Sequence, residues 1–141
     1  MWQAGRVWIY SRALTRFDAV AWDVIAGRFE EYTTGSPKYR FMCEVVDSIR
    51  SCAADRLAGF TSMHDLAVTT TPVPVRGPVD VIWVRPQPAA TAVTAGSPEV
   101  LIEHCAASGL DERIVRPGND AVRLFWRFAI EKYGVHPNHE G

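Results

Sequence analysis

A chain of 141 residues, 48% apolar and 22% charged, has the size and composition of one globular domain and lies well away from the disordered class. Its formal net charge of -1 and pI near 6.4 lack the basic footprint of a dedicated nucleic-acid binder. No run of 18 apolar residues occurs, so no membrane-spanning helix is expected.

A chain this long buries roughly 68% of its unfolded surface, so it needs no disulfide or metal to fold. The cysteines Cys43, Cys52 and Cys105 are odd in number and lack CxxC spacing. Cys43 and Cys52 lie nine residues apart in one expected helix, about 13 Å, too far to bridge. Reduced, buried thiols and the absence of a secretory h-region near Met1 point to a cytoplasmic protein. Arginine dominates the cations, Lys38 and Lys132 being the two lysines. That bias, with abundant Ala and Val, suggests a GC-rich bacterial genome.

Residues 1–14 read as an N-terminal arm or short strand. In RVWIY, residues 6–10, Trp8 and Tyr10 share a face at period two. A first helix is expected from Thr15 to Tyr32: Thr15 and Asp18 have capping-box spacing, and Phe17, Val20, Ala21, Val24, Ile25, Phe29 and Tyr32 form an apolar stripe. Ser36 and Pro37 signal the start of a second helix, with a stripe from Phe41 to Leu57 and Gly59 as its end. Two such amphipathic helices joined by a short turn predict an antiparallel hairpin.

The apolar rhythm then switches near Phe60 to every other residue. Strands are expected at 64–71, 79–85, 99–105 and 111–116, with residues 86–98 a long flexible loop. A last helix over 120–133 is apolar along most of its length, with Arg123, Arg127 and Glu131 making a polar stripe, which predicts deep burial. Residues 135–141 form a tail. The expected fold is a single α+β domain over 1–141. Two N-terminal amphipathic helices precede a three- to four-stranded, mainly antiparallel sheet, with a buried C-terminal helix packed on one sheet face.

No phosphate loop, nucleophile elbow, dinucleotide fingerprint or zinc-protease motif occurs. His64-Asp65 lacks the earlier histidine that metal-dependent phosphohydrolases need beside a later aspartate, since His64 is the first histidine in the chain, and adjacent strand residues diverge. His104 shares a face with Val100 and Ile102 and reads as a structural core histidine. His136 and His139 lack two further ligands, so no metal site and no cofactor are expected.

If the strands run as a simple meander, His64, Arg85 and Arg116 reach one end of one face. Beside the N-terminus of the last helix, they would form an anion pocket lidded by residues 86–98. Trp8, Tyr10 and Trp22 are candidate interface residues, consistent with a homodimer.

The missing catalytic constellation favours a non-catalytic protein-binding module, immunity-like or regulatory by size and composition alone. The alternative is a small-ligand binder or cofactor-free enzyme with a cavity between sheet and helices, accepting an anionic ligand. A cavity of several hundred Å³ with inward polar groups favours the ligand; a filled core with an exposed aromatic patch favours the protein partner.

Overall fold

The computed structural model describes residues 6–10, 14–87 and 98–137. Strand β1 (Arg6–Tyr10) comes first, then helices α1 (Trp22–Gly35) and α2 (Arg40–Cys52), the latter entered through a 3-10 turn at Pro37–Tyr39. Strands β2 (Leu57–Ser62), β3 (Asp65–Thr70), β4 (Val81–Gln87), β5 (Glu99–Cys105) and β6 (Leu110–Pro117) follow, and helix α3 (Ala121–Tyr133) ends the sequence of elements. The class is α+β, as expected, but among the described residues the sheet has six strands rather than three or four.

Its order is β1-β6-β5-β4-β3-β2, and every adjacent pair is antiparallel. Strands β2 to β6 form a meander across the sheet. The first strand of the chain closes the far edge beside β6. The chain therefore has to cross the sheet between β1 and β2.

Alternation assigns the two faces. Leu66 and Val68 on β3 pair with Val84 and Ile82 on β4. These four join Ile102, Ile114 and the buried sides of all three helices, including Phe29, Ile49 and Phe125, in the main core. Burying each such side chain contributes roughly 1.5–3 kcal/mol. Helix α3 behaves as its composition requires: Phe125, Trp126, Phe128 and Ala129 are buried, while Arg123, Arg127 and Glu131 face water. Gly134 adopts the left-handed conformation at φ 69° and its N–H bonds Ile130 O, which ends the helix.

Two helix boundaries differ from expectation. Helix α1 begins at Trp22, not Thr15. The chain before it is tied to the sheet by isolated bridges Leu14 to Val79 and Val20 to Gly59. Phe17 belongs to a second cluster with Ala58, Ala67, Val79 and Val81, on the face away from the helices. Its apolar side chain fitted a helical stripe by spacing, but it serves the reverse side of the sheet.

Helix α2 ends at Cys52, and residues 57–62 form β2 instead of a final helical turn. Gly59 is not a helix terminator. A Cβ there would lie 2.6 Å from the Trp22 ring, so glycine lets the indole cover the strand.

Candidate functional site

The C-terminal turn of α1 presents Phe29, Tyr32 and Thr33 on one side, because three- and four-residue spacing shares a helix face. The chain then turns through Ser36 and Tyr39 into Met42 of α2. From the sheet, the tight connection Met63-His64 between β2 and β3 faces this corner, with Asp65 and Pro86 behind it. Together these ten residues enclose a cleft of about 420 Å³, within the range of small-molecule sites.

Its walls are ordered by specific contacts. Phe29 and Tyr32 stand edge to face at 5.6 Å, and Tyr32 and His64 at 4.5 Å, giving a continuous aromatic wall. Thr33 Oγ1 donates to Phe29 O at 2.8 Å and touches Cys43 Sγ at 3.1 Å, so its hydroxyl is already committed. Burial pushes the Cys43 thiol pKa up despite that hydroxyl contact. Asp65 accepts from Arg85 Nη1 at 2.5 Å. The charge of Asp65 is thereby matched, and the exposed His64 imidazole offers a polar group beside it.

The three residues of the expected anion pocket do not converge. His64 is an exposed member of the cleft rim. Arg85 lies on the opposite sheet face, over the Trp83 ring at 4.1 Å and bonded to Asp65. Strand β4 is apolar on both sides, so alternation alone left its faces ambiguous; the pairing of Ile82 and Val84 with β3 resolves them. Arg116 pairs with Val100 on the helix-bearing face. With β4 and β5 between β3 and β6, it sits three strand spacings from His64, roughly 14 Å.

Of the expected interface residues, Trp8 and Tyr10 lie in edge strand β1 opposite Glu112 and Leu110. Trp22 is turned inward, its Nε1 donating to Leu57 O at 2.9 Å. His136 is exposed, whereas His139 and most of the expected loop 86–98 lie outside the described residues.

Two further polar groups were not singled out by sequence. On the open face, Glu103 bridges Arg113 at 2.5 Å and Arg85 at 3.5 Å. Ligand atoms of Glu103, Cys105 and Asp111 lie within 4.8 Å of one another. The set suits a cation poorly: guanidinium groups already engage Glu103, and burial raises the Cys105 thiol pKa to about 12, so it stays protonated. Under α3, Lys132 Nζ lies 2.6 Å from the fully buried Glu112. These pairs were invisible because register, not spacing, brings them together.

No helix among the described residues is long and apolar enough to cross a membrane. No family model, curated protein or solved structure matches the chain.

Proposed function

We propose that the protein binds a small amphipathic molecule in the cleft between the α1–α2 corner and the β2–β3 turn. The observation that carries this is the cleft's lining: Phe29, Tyr32, Tyr39 and Met42 supply apolar walls, and His64 and Asp65 supply polar groups at one end. A protein-binding module would need an exposed aromatic patch. Among the described residues the exposed large apolar side chains are Val24, Met63, Val75, Val115 and Ile130, which lie on α1, the β2–β3 turn, the β3–β4 connection, β6 and α3. The three free thiols Cys43, Cys52 and Cys105 are buried, which supports a reducing, cytoplasmic setting.

The test is a thermal-shift screen of a few hundred amphipathic fragments, with amide NMR shifts used to map each hit. Hits are expected to perturb Tyr32, Tyr39 and His64, and to be lost in Ser36→Trp, which fills the cleft from its wall. Hits mapping elsewhere, or surviving Ser36→Trp, would remove the ligand assignment. So would an empty screen combined with a specific protein captured on the folded chain.

A further inference from the structure

We propose that the cleft's ligand is a neutral, flat, fused-ring aromatic molecule bearing one hydrogen-bonding group, and that Met63 is the residue selecting it. This deepens the small-ligand assignment and rests on it. The first observation is the distribution of methionine. The chain has three, and the two beyond Met1 both line this cleft. Met42 is buried in the wall at 1% exposure, and Met63 stands on the rim at 80%. Thioether sulfur makes favourable contacts with aromatic rings, and its flexible stem adapts to a flat face.

The second observation is backbone conformation. Ser62 pairs with Asp65, so Met63 and His64 form a two-residue hairpin connection. Met63 has φ 57°, the one non-glycine residue with positive φ among those described. Hairpin turns favour glycine, asparagine or aspartate at such positions, because a Cβ strains the left-handed region. An exposed apolar side chain on a strained backbone is doubly unfavourable to the empty protein. Glycine would relieve the backbone strain and remove the exposed apolar surface, whereas methionine puts a thioether on the rim of the cleft.

The third observation is the aromatic lining. The edge-to-face series Phe29, Tyr32 and His64 shares the cleft with both methionines. A planar ring seated there meets aromatic groups and thioethers together. The ligand is neutral because Asp65 is already balanced by Arg85. Its polar group is a hydroxyl or ring N–H, which meets the imidazole of His64 or the free side of the Asp65 carboxylate.

The experiment compares 2-naphthol with its saturated counterpart decahydro-2-naphthol, by calorimetry and NMR titration, on wild type and Met63→Gly. Wild type is expected to bind 2-naphthol at least about tenfold tighter than the saturated alcohol, the contrast expected where ring faces meet sulfur and aromatic groups. Met63→Gly is expected to melt about 3 °C higher while binding 2-naphthol about fivefold more weakly. Equal affinity for the two alcohols, unchanged 2-naphthol affinity in Met63→Gly, or no rise in its melting temperature each overturns the proposal. If neither alcohol binds while other fragments still occupy the cleft, the aromatic assignment fails and the small-ligand assignment stands. An empty cleft in both experiments removes both.

Discussion

His104 shows how one buried titratable group couples stability to pH. It lies on β5 within the helix-covered face, 8% exposed, and its Nε2 has no hydrogen-bond partner among the described residues. The Tyr133 ring stands edge-on at 6.2 Å. Burial holds its pKa below the ordinary 6.5; Lys132 acts in the same direction, and Asp80, Asp111 and Glu131 oppose. The unfolded chain therefore takes up the proton first as pH falls. The resulting stability is complete above about pH 6.5 and declines toward the lower folded value. Urea unfolding is expected to give a smaller free energy at pH 5.5 than at pH 7.5, and His104→Gln is expected to flatten that difference. An identical pH dependence in the two proteins would show that other groups set it.

At the scale of elements, the seating of α3 on the sheet depends on a charge pair as well as on Phe125 and Ala129. Lys132 is in the last turn of α3, and Glu112 is fully buried on β6, with 2.6 Å between Nζ and Oε1. Removing the ammonium takes the Lys132 partner away from a fully buried carboxylate, a change that costs about 3–5 kcal/mol. Lys132→Met is thus expected to lower the urea midpoint sharply. The double variant Lys132→Met with Glu112→Leu is expected to recover most of the loss, since an apolar pair needs no compensation. A loss below about 1 kcal/mol in the single variant would mean the pair is solvated and α3 is held by packing alone. The Asp65–Arg85–Glu103–Arg113 series crosses four strands on the opposite face. Its arginines are more open to water, so each of those pairs contributes less.

The whole molecule is organised by a sheet with unequal cover. Three helices pack on one face. On the other, residues 14–20 run along β2, β3 and β4, with Phe17 against the Phe60 ring at 4.7 Å. Pairing β1 with β6 and then entering β2 at the opposite edge requires this crossing, so segment 14–20 is part of the fold rather than a linker. Phe17 is 6% exposed, and Phe17→Ala is expected to cost about 3–5 kcal/mol by urea unfolding. A cost under about 1 kcal/mol would mean that the reverse face is held together without this segment.

Local chemistry alone determined the α+β class, the strand at 99–105, the amphipathic α2, and an α3 whose one polar stripe faces water. Each follows from periodicity and end signals that act within a few residues of chain. Tertiary structure decided everything that depended on which strand met which. It turned 14–20 from helix into cover and Leu57–Ser62 from helix end into an edge strand paired with β3, with Gly59 leaving room for the Trp22 ring. It also moved Arg85 to the face opposite the expected one, because a strand apolar on both sides carries no mark of which side is inward. His64 was legible as a site candidate. Its neighbours Tyr32, Tyr39, Met42 and Met63 were not, because they come together only when two distant helices close over one hairpin turn.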